Sequence, residues 1–216
     1  DRARARLPPL ALRVPAHPIA RDLLEAFGTP LVGPSANRSG RVSPTSAEHV
    51  LADLDGRIDA VIDGGVCEVG VESTIVACLD GPPRLLRPGG ISREEIEAVL
   101  GAPLADGAGG DPLAPLAPGL LTSHYAPRAR VRLGATRIEP GEAALTFGPP
   151  PPGIEAAAAR VDLSPSGDLR EAAANLFAAL RTLDASGAPV IAVAPIPREG
   201  LGEAIADRLS RAAAER

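Results

Sequence analysis

The sequence predicts an α/β fold in two units, and three observations carry that prediction. Residues 1–100 mix short apolar runs with segments of helical periodicity, as expected of helices around one sheet. Residues 101–118 are rich in Gly, Ala and Pro and show no period, which reads as a linker. Beyond them, strand-like and helix-like segments alternate to the end of the chain, the pattern of a small parallel-sheet domain. The expected partition is therefore 1–100, a linker or lid over 101–128, and 129–216. A chain of 216 residues has room for one large domain or two modest ones, each with a core.

In chain order, residues 10–14 (Leu-Ala-Leu-Arg-Val) read as a strand stopped by Pro15. Residues 17–27 carry apolar side chains at helical spacing (Ile19, Leu23, Leu24, Phe27), with Gly28 as a C-terminal stop. A short buried strand is expected at 30–33, followed by a polar loop over 34–44. Thr45, with Glu48 three residues on, reads as a capping box opening a helix to Leu54. Residues 60–62 are expected as a strand, and 74–79 with 84–87 as a hairpin across Asp80-Gly81-Pro82-Pro83. Ser92 and Glu95 form a second capping box for a helix to about Leu100. In the second unit, strands are predicted near 129–133, 143–147, 160–163 and 190–194, with helices over 169–185 and 201–214.

Composition narrows the function. The formal net charge of -5 and an aromatic content of 2% disfavour a nucleic-acid surface built on charge or base stacking, so strong direct nucleic-acid binding is not expected. All basic side chains are Arg, so Arg must supply every fixed cation of an anion site. No apolar run approaches the roughly 20 residues that span a bilayer, and no signal peptide is legible, so a cytoplasmic location is the default expectation. The chain contains no Met, from which we expect a segment upstream of Asp1 to be missing. Cys67 and Cys78 lack metal-ligand spacing and are expected as small buried fillers.

Four segments could carry chemistry. Residues 34–45 (Pro-Ser-Ala-Asn-Arg-Ser-Gly-Arg-Val-Ser-Pro-Thr) leave a predicted strand and end at a helix N-terminus, a place suited to phosphate or carboxylate. The same residues also suit a plain polar turn. Gly70-Val71-Glu72-Ser73-Thr74 enters a strand. In Leu86-Arg87-Pro88-Gly89-Gly90 an Arg ends a strand, where a solvated charge is the ordinary alternative. In residues 118–127, the pair His124-Tyr125 closes the linker and could equally be a docking latch.

Taken in this order and spacing, the four segments closely resemble the long, two-domain form of the threonylcarbamoyl-AMP synthases. The resemblance is strong over residues 7–133 and architectural beyond. It implies that 1–100 is the C-terminal part of a YrdC-like twisted mixed sheet with helices, that the chain is N-terminally truncated, and that a small Rossmann-like domain follows the linker. It implies a nucleotidyltransferase that joins L-threonine, bicarbonate or CO2, and ATP into threonylcarbamoyl-AMP and pyrophosphate for tRNA threonylcarbamoyladenosine modification. Carried over motif by motif, Arg13, Ser35 and Ser73 would bind threonine; Asn37, Thr45, Arg87 and Tyr125 would bind ATP, with Tyr125 closing over the site. Mg2+ is expected with the ATP, and other proteins of the tRNA modification pathway are candidate partners. No catalytic side chain and no protein metal ligand are assigned. The family's Lys-x-Arg-type phosphate motif has no match here, and Pro9 stands where a small hydroxyl residue is common. The chain alone is therefore expected to be inactive. Two alternatives remain: a carbamoyl-adenylate-forming relative of the hydrogenase-maturation type, and a non-catalytic RNA-binding YrdC-like module.

Overall fold

The computed structural model describes residues 10–107 and 123–215. The first unit contains helices α1 (Pro18–Phe27), α2 (Ala47–Leu54) and α3 (Arg93–Leu100), and strands β1 (Ile75–Ala77), β2 (Arg84–Arg87) and β3 (Ala105–Asp106). β1 and β2 form the predicted antiparallel hairpin, and β3 pairs parallel to β2. β3 lies in the stretch that composition alone marked as an unpacked linker; Ala105 N–H donates to the Pro83 carbonyl at 3.0 Å. A two-residue strand is too short to leave a periodicity.

The second unit holds strands β4 (Arg130–Arg132), β5 (Ala143–Thr146), β6 (Ala159–Asp162) and β7 (Val190–Val193), a single 3-10 turn (Ile154–Ala156), and helices α4 (Leu169–Ala185) and α5 (Leu201–Ala213). Its sheet is wholly parallel in the order β4-β7-β5-β6. The period of two sorts each strand by face. Ala143, Leu145, Ile191 and Val193 join Leu176, Phe177, Leu180, Ile205 and Leu209 of the helices, while Ala144 and Ala192 face Ala135 and Ile138 on the other side. The 17-residue α4 starts cleanly because the Asp168 carboxylate accepts from the N–H groups of Arg170 and Glu171.

Three predicted strands do not form. Residues 10–14, 30–33 and 60–62 run without ladder partners, leaving Leu12, Val14, Val32 and Ile62 at 83, 92, 79 and 61% exposure. An apolar run supplies the side chains of a strand, but its backbone groups need a ladder partner, and among the described residues none pairs with these three runs in a ladder. Helix α2 also begins one residue later than expected: Ser46 is the cap, accepting from His49 N–H, and Thr45 N–H instead donates to His49 Nδ1. The Ser92–Glu95 capping box is present in both directions. Both cysteines are exposed, not buried fillers, because each sits in a surface connection outside the core clusters. Among the described residues no helix is long and apolar enough to cross a membrane.

Candidate functional site

The loop over residues 34–45 is tied by its own amide side chain. Asn37 Nδ2 donates to the Arg38 carbonyl at 2.9 Å and the Arg41 carbonyl at 3.1 Å, which closes the turn around Gly40. That leaves Asn37 Oδ1 buried without a hydrogen-bond partner among the described residues, an acceptor available to a ligand donor. Ser35 stands exposed at the head of the loop. Thr45, at the other end, is 3% exposed; its hydroxyl lies 3.3 Å from His49 Nδ1 and its carbonyl accepts from Cys67 N–H.

Arg13, Ser73, Arg87 and Tyr125 come together as a row. Arg13 Nη1 donates to Ser73 Oγ at 3.5 Å. From the opposite side, Arg87 donates through Nε (3.2 Å) and Nη2 (2.7 Å) to the Ser73 carbonyl, and the Tyr125 hydroxyl lies near enough to favour its charge. Gly89 makes this possible: a Cβ there would sit 2.3 Å from the Glu72 carbonyl oxygen and the Thr74 nitrogen, so only glycine lets the two segments lie backbone to backbone. Gly33, two residues before Ser35, is near Arg13: a Cβ on it would lie 3.8 Å from Arg13 Nη2. Arg13 and Ser73 thus form an accessible cation–hydroxyl pair, whereas Arg87 and Tyr125 are 6% and 1% exposed and back the wall.

Tyr125 is wedged between the units. Its ring stacks on Phe177 of α4 at 5.4 Å, meets His124 edge-on at 4.2 Å, and lies under the Arg208 guanidinium at 5.2 Å. Its backbone is left-handed (φ 60°), a conformation that persists only where surroundings enforce it. The next residue, Ala126, donates its N–H to the Gly40 carbonyl at 2.9 Å, so the His-Tyr segment is pinned to the Ser35-to-Thr45 loop.

Sequence reasoning left three side chains of this site without a role. Glu72, inside the Gly-Val-Glu-Ser-Thr motif, accepts from Ser43 Oγ at 2.8 Å and from Arg208 Nε at 2.8 Å. Arg208 is wholly buried on α5, and Arg181 of α4 reaches the Val42 and Ser43 carbonyls. Arg208 stands three residues after Ile205 and four before Ala212, on the stripe that α5 buries, so helical spacing marks its face but not its partner. Burial pushes the Glu72 carboxyl up, but the Arg208 charge and the hydrogen bonds from Arg208 and Ser43 outweigh it and hold Glu72 below its ordinary value. Burial, with the like charge of Arg208, lowers Arg87, and Tyr125 and Glu72 partly offset this. Burial raises the Tyr125 hydroxyl and so keeps it protonated.

A pH dependence follows from Glu72. A carboxylate depressed on folding contributes stability that is present above its unfolded value, near 4.5, and is lost as pH falls through the lower folded value. Thermal midpoints followed from about pH 7 to about pH 3 should fall more steeply for the parent than for Glu72→Gln. Superimposable profiles would remove Glu72 as the source.

Comparison with known proteins follows the same segments. The family model described as "Threonylcarbamoyl-AMP synthase, C-terminal domain" matches residues 91–214, and one described as "Telomere recombination" matches residues 2–89. A threonylcarbamoyl-AMP synthase of Bacillus subtilis is 40% identical over 228 aligned positions, covering 100% of this chain and 66% of the relative. One from Pyrococcus abyssi is 40% identical, covering 96% of this chain and 64% of the relative. The crystal structure of P. abyssi Sua5 complexed with L-threonine superposes with a TM-score of 0.84 at 35% identity, over 97% of this chain and 65% of that one. The chain spans about two thirds of the length of these relatives. The match of both family models, end to end and in the order of the site's segments, places this chain in the threonylcarbamoyl-AMP synthase family.

Proposed function

We propose that this chain forms one wall of the site at which L-threonine, bicarbonate or CO2, and ATP become threonylcarbamoyl-AMP and pyrophosphate, the activated donor for threonylcarbamoyl modification of tRNA adenosine. The observation that carries the reading is the pairing of accessible Arg13 with Ser73, braced by Arg87 from behind. A carboxylate is best held by a planar, permanently charged guanidinium. Arg13 is assigned to the threonine carboxylate, with the Ser35 and Ser73 hydroxyls orienting the rest of the amino acid. The P. abyssi relative's complex with L-threonine supports threonine as the ligand of such a site. Asn37 Oδ1, a buried acceptor without a partner among the described residues, is assigned to a donor on the nucleotide. Thr45, Arg87 and Tyr125 shape the nucleotide side from behind its surface.

The chemistry asks for positioning more than for an acid or base. The threonine nitrogen adds to the carbon of CO2 with loss of a proton, giving a carbamate. A carbamate oxygen then bonds to the α-phosphorus as the bond to the bridging oxygen breaks and pyrophosphate leaves. Holding the two reactants in line is worth up to about 7–11 kcal/mol in well-oriented systems. A carbamate is labile in water, so the Tyr125 wedge beside Ser73 would serve to exclude solvent. Mg2+ belongs to the substrate as MgATP, since it commonly binds through phosphates and water. Among the described residues no group of three His, Cys, Asp or Glu side chains could hold a metal, so no protein site is assigned to it. Location in the cytosol and contact with other tRNA-modifying proteins are part of the same proposal.

Calorimetry on the protein expressed from its complete gene tests the assignment. Ser35→Ala should weaken L-threonine binding about tenfold with ATP affinity little changed, by the loss of one hydrogen bond to the ligand. Asn37→Ala should weaken ATP binding at least as much and threonine binding to a lesser degree, because the same side chain ties the loop to the Arg38 and Arg41 carbonyls. Parent-like affinity for both ligands in both variants would sink it. Threonine offered against carbamoyl phosphate as co-substrate separates this activity from carbamoyl-adenylate formation.

A further inference from the structure

The loops assigned to substrate are gripped from the second unit. Among the described residues none of the helices α1, α2 and α3 buries a residue, whereas Val42 and Val71 of those loops are buried in the core cluster of the second unit. The second unit reaches across instead. Arg181 of α4 donates through Nη2 to the Val42 carbonyl, through Nε to the Ser43 carbonyl at 3.3 Å, and pairs with Asp53 of α2 at 2.6 Å. Arg208 of α5 pairs with Glu72 at 2.8 Å and with its neighbour Asp207 at 2.6 Å while covering the Tyr125 ring. Glu72 joins the two grips, because its other oxygen accepts from Ser43 Oγ. Each arginine therefore holds a carbonyl or carboxylate at most one residue away from a stretch that carries Ser35 to Thr45 or Ser73.

Stability alone does not account for this arrangement. Removing a guanidinium from water costs several kcal/mol, and a buried ion pair is often no more stabilising than apolar side chains of similar volume. What such a pair provides is direction: charge-assisted bonds hold their acceptors at fixed distances and angles. We infer that Arg181 and Arg208 are positioning residues, through which the C-terminal domain sets the geometry of the two substrate loops. The inference rests on the function proposed above, in that these loops bind threonine and ATP. The part assigned to the second domain is that of a clamp, and its own sheet takes no part in binding.

Two readouts on the protein expressed from its complete gene separate this inference from the functional proposal. In steady-state pyrophosphate release, Arg208→Met and Glu72→Gln should each raise the threonine KM about tenfold with a smaller change in kcat, since a misplaced loop loses substrate orientation. Arg208→Lys, which keeps the charge and one donor, should recover part of that loss. The double variant should be no worse than the worse single, as expected for one coupled pair. In amide hydrogen exchange, Arg208→Met and Glu72→Gln should speed exchange at residues 71–74, and Arg181→Met at 42–45, with β5 and β7 staying protected. If the parent releases no threonine-dependent pyrophosphate, the functional proposal fails and exchange alone decides the clamp. Unchanged exchange in both loops overturns the inference, and so does an unchanged threonine KM in an active parent series. If Arg208→Met fails to fold, the nearly isosteric Glu72→Gln and Arg181→Met carry the same comparison; protection lost equally throughout those two also overturns it.

Discussion

Gly70→Ala should separate the two units and cost about 3 kcal/mol or more of stability. Gly70 sits at φ 71°, and a Cβ there would lie 2.3 Å from the Ala173 carbonyl oxygen and 2.4 Å from Ala174 Cα and the Ala174 carbonyl oxygen. All three are backbone atoms of α4, whose Ala172, Ala173, Leu176 and Phe177 are packed into the core, so the helix cannot retreat. The left-handed conformation adds about 1–2 kcal/mol for any residue with a Cβ. Gly187→Ala provides the comparison: its φ is 77° with nothing within 4 Å of the added carbon, so it carries the backbone cost alone. Urea unfolding should rank Gly70→Ala well below Gly187→Ala, and hydrogen exchange should show α4 losing protection on the face toward Gly70. Equal losses at the two positions would mean that the close approach of Gly70 to α4 contributes nothing.

Phe177→Ala should cost about 3–5 kcal/mol, the range for truncating a buried aromatic. Phe177 is 1% exposed within the larger core cluster, and its ring also supports Tyr125. Tyr125 holds a left-handed backbone that its surroundings enforce, so losing the stack should release the His-Tyr segment as well as open a cavity. The chain offers a direct optical reading, because Tyr125 is its only tyrosine and it has no tryptophan. Tyrosine emission should become accessible to iodide in Phe177→Ala at denaturant concentrations where the fold persists. A loss below about 1 kcal/mol with unchanged quenching would show that the core closes over the gap and that Phe177 does not hold the wedge.

These two positions mark where reading the chain by itself stops. Every strand and α-helix of the second unit was legible, from the strand at Arg130 to the helix ending at Ala213, whereas the 3-10 turn at Ile154–Ala156 was not. The Ser92–Glu95 box was legible as well, because both partners lie within four residues. The segments holding Arg13, Ser35, Asn37, Thr45, Ser73, Arg87 and Tyr125 could be named from residue order, and the structure sets Arg13, Ser73, Arg87 and Tyr125 side by side. Residues 10–14, 30–33 and 60–62 misled as strands, since their apolar side chains say nothing about whether a backbone neighbour is present.

What the amino-acid order determined, then, is local: helix caps, strand faces, turn positions, and the family to which the chemistry-bearing loops belong. What only the tertiary structure decided is which distant groups hold those loops. Arg208 meets Glu72 across 136 positions, and Arg181 meets Val42 across 139. Helical spacing puts Arg208 on the buried face of α5, but neither arginine's partner can be read from it, because the partner of a buried charge is chosen by packing in space and not by spacing along the chain.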